Sequence, residues 1–383
     1  MSCLTEPVSS FGLFNSWPAG FLPTLNWFLF ACVTDRHETP LQKIIRYYIR
    51  EIEFFVKSHK AQVAEACDLK CRPMNSNQTF TLAHISDPHL ADPRGSRFSD
   101  FLNKRFFGYL KWRLKRKSEH HTDVLTAMVQ DIRDARPDHI AVTGDLTHLG
   151  LAAEYAKAKS FLEALGSASQ VTVIPGNHDA YVDGALDCRL VEWADYMVSD
   201  GITVGDGTSC AAEAMFPSLR VRDGVALIGV CTAQPCSTFL AVGCIGNDQL
   251  RRLQKILIET GEKGLFRIIL IHHPPKSGVV SWRKRLTDVE FFQNALQDCG
   301  AELILHGHSH HSSRTYLETF KGRVPVIGVP SASASGENPG RRARYHLYHL
   351  LPGADGRDIR VRVRSYINKD RRFDTEDEFR LAD

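Results

Sequence analysis

Residues 80–89 read FTLAHISDPH, a short apolar run that ends in a serine, an aspartate, a proline and a histidine. The run has the length and composition of a buried strand. Asp87 and His89 are two residues apart at its end, so their side chains can point the same way. In open α/β sheets, functional groups collect beyond the carboxyl ends of the strands. This stretch therefore predicts a strand that delivers two polar side chains to the rim of a sheet.

Four later apolar runs end in the same way, each beside a glycine or a proline. The polar residues that follow are Asp145 after HIAVT, Asn177, His178 and Asp179 after VTVIP, His272 and His273 after IILI, and His306, His308 and His310 after AELIL. One aspartate after a strand is more often a helix cap, but five such ends are difficult to reach by chance. Carboxylate, imidazole and amide oxygen suit Mn²⁺, Fe and Zn²⁺. The pattern predicts a pair of divalent metals.

Amphipathic stretches lie between several of the apolar runs, for example TDVLTAMVQDIRDA and NDQLRRLQKILIET. Alternation of strands and helices, with nearly continuous apolar strands, predicts a layered α/β domain. Two later strands, RYHLYHLL and DIRVRVRSY, have no helix between them. We expect these two strands to form a second, partly antiparallel sheet.

The domain organisation follows from changes in composition along the chain. We expect an N-terminal extension at 1–77, a domain at 78–366 and a highly charged, exposed tail at 367–383. The extension contains an apolar segment at 21–33 and a predicted amphipathic helix at 37–66. The apolar segment is shorter than the roughly 20 residues that span a bilayer. It is interpreted either as a poorly ordered extension or as a segment that lies on a membrane surface or a partner.

Bulk composition excludes some classes of function. The 383 residues are 43% hydrophobic and 24% charged, as in a soluble globular protein, and the net charge of +3 is too small to indicate nucleic-acid binding. The ten cysteines contain no CxxC pair. They are interpreted as reduced thiols, which predicts a cytoplasmic protein.

The series DPH, GDLTHLG, GNHD, HHPP and GHSH, in this order, resembles the calcineurin-like metallophosphoesterase superfamily. Within it, the bacterial cyclic-nucleotide and glycerophosphodiester phosphodiesterases look most similar. The resemblance covers residues 80–350 and implies a four-layer α/β/β/α sandwich with two mixed sheets. It also implies roles for individual residues: Asp87, His89 and His310 for one metal, Asn177, His272 and His308 for the second, Asp145 as the bridge, His178 as proton donor, and Asp179 as the residue that orients it.

Several histidines keep alternative interpretations. The resemblance selects His272 over His273 as the ligand, which leaves His273 to support the site or to face the substrate. His148 stands where the family often has Asp or Asn, and it either hydrogen-bonds near the site or faces solvent. His306 is expected either to support the site or to be structural, and His311 to take no part. His84 lies inside a strand and is expected to be structural.

The stretch at 97–117 carries eight basic residues and one acidic residue, with aromatic side chains between them. It is interpreted either as a basic amphipathic helix that packs on the domain or as a lid or membrane-surface element that gathers anionic substrates.

The expected function is hydrolysis of a small phosphodiester, a cyclic nucleotide or a glycerophosphodiester, by a hydroxide that bridges two metals. The alternative is a pyrophosphatase acting on a lipid-linked nucleotide such as UDP-2,3-diacylglucosamine. That alternative would place the protein at the inner face of the membrane, in contact through 97–117 or the N-terminus. A non-catalytic scaffold is a third hypothesis, but every expected ligand is present, which argues against it.

Overall fold

The computed structural model describes residues 79–93, 105–114, 121–182, 190–201, 215–335, 339–351 and 358–381. The predicted apolar segment at 21–33 and the predicted helix at 37–66 lie outside these residues. So do the two ends of the basic stretch at 97–117.

The first sheet has six strands and combines both ends of the described domain. From edge to edge it contains β12 (Arg372–Leu381), β11 (Asp358–Ile367), β10 (Arg344–Leu351), β1 (Phe80–Ile85), β2 (His139–Val142) and β3 (Val171–Val173). Strands β1, β2 and β3 are parallel, and β10 to β12 are antiparallel. The carboxyl ends of β1 to β3 therefore meet at one edge of this sheet.

The second sheet also has six strands and comes from the middle of the chain. From edge to edge it contains β4 (Ser218–Arg222), β5 (Val225–Val230), β6 (Phe266–Ile271), β7 (Leu303–His306), β9 (Gly322–Gly328) and β8 (Ser313–Thr319). Strands β5, β6, β7 and β9 are parallel.

The alternation of side chains along β6 shows how the layers are built. Ile268 and Leu270 belong to an apolar cluster that also contains Leu82 of the first sheet. Ile269 and Ile271 belong to a second cluster, shared with buried residues of two helices. Since successive residues of a strand point to opposite faces, one face of this strand packs on the other sheet and one on helices. This explains why residues 268–271 of the strand are all apolar.

Four helices complete the layers. Helices α2 (Thr122–Ala135) and α3 (Ala152–Leu165) contribute buried residues to the cluster of the first sheet. Helices α4 (Asn247–Glu262) and α5 (Val289–Cys299) pack on the second sheet. The α/β sandwich with two mixed sheets that the sequence predicted is confirmed.

The last strands β10 and β11 pair antiparallel with each other, but the expectation that they belong to a second sheet is wrong. Strand β10 also pairs antiparallel with β1, with Phe80 opposite Leu350, so both strands belong to the first sheet. The second sheet is built from strands that lie between β1 and β10 in sequence. A hairpin pattern predicts that two strands pair with each other but does not identify the third strand that joins them.

The charged stretch expected as an exposed tail is largely exposed in its described part, but it forms a strand. Residues 372–381 form β12, which pairs with β11 along its length. Phe373 and Leu381 are buried. The charged residues of β12 pair across the strands, Glu378 with Arg362 and Arg380 with Asp358. The high charge of this segment therefore belongs to the exposed face of an edge strand, and the domain extends to Leu381.

The described part of the basic stretch forms helix α1 (Arg105–Leu114). Arg105 is buried, and its guanidinium donates hydrogen bonds to the carbonyl oxygens of Leu149 (2.9 Å) and Gly150 (2.5 Å). A buried, hydrogen-bonded guanidinium is a strong anchor. The start of the helix is thus attached to the loop that follows Asp145.

Candidate metal centre

The predicted polar residues lie together where five parallel strands end. The loops after β1 and β2 are joined by hydrogen bonds from Asp87 N to Gly144 O (3.0 Å) and from His89 N to Asp145 O (3.1 Å). The Asp87 carboxylate also accepts from the backbone N–H of His308 (3.0 Å), in the loop after β7. Because β1 and β7 belong to different sheets, this bond ties both sheets at the site.

One group of potential ligands consists of Asp87, His89, Asp145 and His310. Their ligand atoms all lie within 4.8 Å of one another. His89 Nε2 lies 3.0 Å from His310 Nε2, and His310 Nε2 lies 3.2 Å from Asp87 Oδ1. The group combines two carboxylates with two imidazoles, a donor set that suits a borderline-hard divalent ion.

A second group consists of Asp145, His272 and His308, with the same spread of at most 4.8 Å. His272 Nε2 lies 3.4 Å from Asp145 Oδ2 and 3.3 Å from Asn177 Oδ1. Asp145 belongs to both groups, so the structure places two potential metal positions side by side with a shared carboxylate.

The ring nitrogens of these histidines fit metal ligation. His89 Nδ1 donates to the carbonyl oxygen of Thr147 (3.3 Å), and His272 Nδ1 donates to that of Thr143 (2.6 Å). Each bond fixes the hydrogen on Nδ1 in the neutral ring, which leaves the Nε2 lone pair directed at the site. These Nε2 atoms face carboxylate oxygens, so a cation is the complementary partner for both.

Two buried polar atoms without a hydrogen-bond partner also indicate that the site binds a cation. His308 Nε2 and Asp87 Oδ1 are buried and have no hydrogen-bond partner, although His310 Nε2 lies 3.2 Å from the latter without hydrogen-bond geometry. Leaving a buried polar atom unpaired costs about 1–3 kcal/mol. Metal ligation would satisfy both atoms, and the residues present therefore fit a divalent ion in each group.

Backbone strain is concentrated at the same residues. Nine described residues other than glycine have a positive φ, and five of them are potential ligands. Those five are Asp87, His89, Asp145, His308 and His310. Such conformations cost free energy and persist where the surroundings fix them, typically at functional sites.

Two glycines allow the loops to approach this closely. A Cβ atom on Gly307 would collide with the side chains of Ser86 and Asp87, and one on Gly176 would collide with Asp145. Any larger residue would push a potential ligand away.

The charges of the site reinforce one another. Burial raises the pKa of Asp145, but attraction to His272 and His178 outweighs burial and holds this pKa well below its usual range. Burial lowers the pKa of His272, but Asp145 outweighs it and raises the value to about 9. The negative potential that favours a protonated His272 also favours a bound divalent cation.

His178 lies beside the ligand groups, and a backbone carbonyl, not the Asp179 carboxylate, is hydrogen-bonded to its ring. His178 Nδ1 donates to the carbonyl oxygen of His148 (2.5 Å), so a backbone atom orients the ring. The buried carboxylate of Asp179 accepts from the N–H (2.8 Å) and hydroxyl (3.0 Å) of Thr147 and from Gly176 N (2.9 Å). Asp179 thus holds the two loops together and does not contact the His178 ring.

Two of the histidines with open interpretations are now placed near the site. His148 is buried, and its ring stacks on that of His178 with centroids 5.3 Å apart, so the solvent-facing alternative is wrong. His273 accepts a hydrogen bond from the Thr232 hydroxyl (2.7 Å) and donates to the Ala241 carbonyl (3.2 Å). Both of its nitrogens are used, which supports His272 as the ligand.

The remaining histidines lie away from the metal groups. His306 contacts the Gly307 carbonyl (3.0 Å) and the Ser313 hydroxyl (3.2 Å) inside the second sheet. His84 Nε2 pairs with the Thr143 hydroxyl (2.9 Å), and His311 is exposed. These positions agree with the structural roles expected for His84 and His306.

Glu154 is a residue of the site that the sequence analysis missed. It is fully buried, and its Oε2 accepts from the backbone N–H groups of His148 (3.2 Å), Leu149 (2.7 Å) and Leu151 (3.2 Å). The carboxylate therefore holds the loop whose carbonyl groups orient His89 and His178. A glutamate at the third position of a helix is a known N-terminal signal, which could have indicated this role.

A cavity of about 310 Å³ opens over the two groups. The side that carries the ligands contributes Asp145, His148, Leu149, Asn177, His178, Tyr181, His308 and His310, and α1 contributes Gly108. The remaining lining residues are Ser237, Thr238, Phe239, Leu240, Ala241, Ser281, Arg283 and Lys284.

No helix among the residues that the structure describes is long and apolar enough to cross a membrane.

Comparison with known proteins identifies the class. Residues 80–312, more than half of the chain, match the calcineurin-like phosphoesterase family model. The chain therefore belongs to the calcineurin-like phosphoesterase family, as the order of its motifs predicted. This membership and the two ligand groups support a metal-dependent phosphoester hydrolase.

One curated relative is a probable cyclic nucleotide phosphodiesterase from Rhodococcus erythropolis. It is 27% identical over 208 residues, which are 53% of this chain and 60% of the relative. The chain thus spans three-fifths of the length of this relative.

Two solved structures are similar to this chain at low sequence identity. The purple acid phosphatase PPD1 from yellow lupin superposes with a TM-score of 0.50 at 13% identity, over 81% of this chain and 55% of that one. A dimetal phosphatase from Danio rerio has a TM-score of 0.45 at 16% identity, over 79% of this chain and 98% of that one.

Proposed function

We propose that this protein is a dinuclear-metal-dependent phosphodiesterase that acts on a small phosphodiester, a cyclic nucleotide or a glycerophosphodiester. The observation that carries the proposal is the shared carboxylate of Asp145, which joins two ligand groups beside His178 at the base of one cavity. The printed name of the Rhodococcus relative, a probable cyclic nucleotide phosphodiesterase, supports the same class of substrate.

The ligand roles that we propose follow the two groups. One metal would be held by Asp87, His89 and His310, the second by Asn177, His272 and His308, with Asp145 shared by both. When bound, a pair of divalent ions lowers the pKa of a water molecule and neutralises charge on the phosphate oxygens. The donor set suits Mn²⁺, Fe or Zn²⁺.

The chain itself supplies the proton for the leaving oxygen. Because Nδ1 of His178 donates to the His148 carbonyl, a protonated ring carries its second hydrogen on Nε2. Nε2 is then the atom that transfers a proton to the leaving alkoxide, a contribution of about 10²–10⁴-fold in rate. Glu154, Arg105 and Asp179 keep this ring in place by fixing the loops on either side of it.

The decisive experiment measures hydrolysis of bis-p-nitrophenyl phosphate by the purified protein with Mn²⁺. We expect Asp145→Asn to abolish activity and to lower the metal content per chain, because it weakens both ligand groups. Asp248→Asn is the matched control, since Asp248 is exposed on α4 and paired only with Arg251. Undiminished activity of Asp145→Asn would refute the proposal. Wild-type protein that retains no metal after reconstitution would instead favour the scaffold hypothesis.

One observation keeps the lipid-linked substrate as a second candidate. Phe106 and Leu110 are exposed on α1, on either side of Gly108, which lines the cavity. Including UDP-2,3-diacylglucosamine among the substrates tested decides between the two. Preferential hydrolysis of that pyrophosphate over cyclic nucleotides would favour the lipid-linked substrate.

A further inference from the structure

The cavity wall formed by residues 237–241 exposes an aromatic ring in a strained conformation. Phe239 lines the cavity and is 79% exposed. Its φ is +76°, and it is the only apolar residue among the nine described non-glycine residues with positive φ. A bulky side chain in this region is a genuine outlier. Both the exposure and the strain are unfavourable for folding alone, which points to a role at the cavity.

The surrounding backbone holds this conformation. Leu240 N donates to Ser237 O (3.0 Å), and Ala241 N donates to Arg283 O (2.9 Å). The Ala241 carbonyl in turn accepts from His273 Nε2 (3.2 Å). His273 follows the potential ligand His272 directly, so the wall that presents Phe239 is joined to the strand end that presents a ligand. The backbone that carries the ring is therefore held next to the ligand groups by the fold.

Positive charge lines the same cavity. Arg283 and Lys284 are lining residues, and Asp145 is the only acidic residue among the lining residues that the structure describes. The Arg283 guanidinium lies 5.3 Å from the centre of the Trp282 ring, which restricts its orientation.

The cavity volume limits what can bind there. About 310 Å³ is at the lower end of the range of roughly 300–1,000 Å³ for small-molecule sites. A ligand that is complementary to this cavity needs an anionic group that can pair with Arg283 and Lys284. It also needs a flat apolar surface that can pack against Phe239. A glycerophosphodiester has the anion but no flat surface.

We propose that Phe239 is a stacking platform for a planar ring of the substrate, with Arg283 and Lys284 as anion-binding residues, so that the substrate is a nucleoside-type phosphodiester. This inference rests on the proposed phosphodiesterase function and narrows its substrate class. Phe239 acts on specificity and takes no part in the chemical step.

The test compares two cyclic phosphates that differ only in the base. The metal-reconstituted full chain is assayed with adenosine 3′,5′-cyclic phosphate and with the corresponding ribose 3′,5′-cyclic phosphate that lacks a base. We expect Phe239→Ala to lower kcat/KM for the nucleotide by about 5- to 100-fold, the range for loss of one stacked base. Its kcat/KM for the compound without a base should change by less than about twofold on the same reasoning.

Matched variants isolate the role of the ring. Phe239→Trp should retain the selectivity, because it keeps a flat aromatic surface. Phe320→Ala is the control, since Phe320 is 77% exposed but does not line the cavity. Lys284→Gln together with Arg283→Gln should raise KM for both compounds, because both carry the anion.

Binding of adenosine 5′-monophosphate and of ribose 5-phosphate to the Mn²⁺-loaded protein, measured by calorimetry, gives a readout independent of turnover. We expect the nucleotide to bind more tightly in the wild type and the difference to disappear in Phe239→Ala. Equal losses for both compounds, no loss, or wild-type preference for a lipid-linked or glycerol diester would overturn this inference. Each of those results leaves the phosphodiesterase proposal standing as long as Asp145-dependent hydrolysis is observed.

Discussion

The loops of the metal centre and the antiparallel edge formed by β11 and β12 use the same kinds of residue in opposite ways. At the centre, aspartates and histidines are buried, strained in φ and in part unpaired. At the edge, arginines and acidic residues lie on two paired strands, largely exposed, and pair across them. Charge in a relaxed, hydrated geometry is compatible with folding and solubility. Buried charged groups in strained backbone conformations cost folding free energy, so their presence indicates a functional site.

The largest effect after loss of Asp145 is expected at His308. We expect His308→Asn to lower kcat/KM for bis-p-nitrophenyl phosphate by about 10²-fold or more, the scale for loss of a group that stabilises charge in a transition state. Asparagine tolerates positive φ, so the backbone can stay in place. The midpoint of thermal unfolding in EDTA should change little, because Nε2 of His308 has no partner to lose. A large drop in that midpoint would show that His308 is a structural residue.

An intermediate effect is expected at Glu154, which acts through the loop it holds. We expect Glu154→Gln to lower kcat by about 10- to 100-fold, the usual scale for residues that orient ligands, with little change in KM. The amide keeps one acceptor but places a donor near the N–H groups of Leu149 and Leu151. Glu163→Gln, on the exposed side of the same helix, is the control. A proportional rise in KM without a fall in kcat would contradict this positioning role.

The smallest effect is expected at the edge strands. Arg362→Gln removes an exposed ion pair with Glu378 and should cost about 0–1 kcal/mol of unfolding free energy, less at high salt. Activity should be unchanged, since the pair lies on β11 and β12 and not among the residues that line the cavity. Denaturant unfolding at low and high salt measures the change in unfolding free energy. The phosphodiester assay measures the activity. A loss of activity in Arg362→Gln would contradict the assignment of a purely structural role to the edge strands.

Much of the site could be predicted because its signals are local. Each strand end places its polar residues a fixed number of positions after an apolar run, and the carboxyl ends of parallel strands lie at one edge. The five ends therefore predicted a common rim before any pairing was known. The resemblance assigned His308 and His310 to different metals, and the structure places them in different groups of potential ligands.

What was missed depends on contacts between distant segments. The acceptor for His178 is the backbone carbonyl of His148, and a carbonyl group has no residue identity that a sequence can display. Asp179 follows His178 directly, yet its carboxylate turns to Thr147 and Gly176, because buried backbone N–H groups need an acceptor there. The resemblance, which implied that Asp179 orients His178, could not indicate this backbone partner.

The sequence by itself determined the class of fold, the strand ends and the chemical nature of the ligands, since periodicity and residue type are properties of short segments. The tertiary structure alone decided that β10 joins β1, that β12 completes the first sheet, and that Phe239 and Arg283 face the same cavity as His308. Those results depend on pairing between strands that are distant in sequence. They also depend on which buried backbone groups need a hydrogen-bond partner in the folded protein. No local pattern records them, because the partners lie tens to hundreds of residues apart.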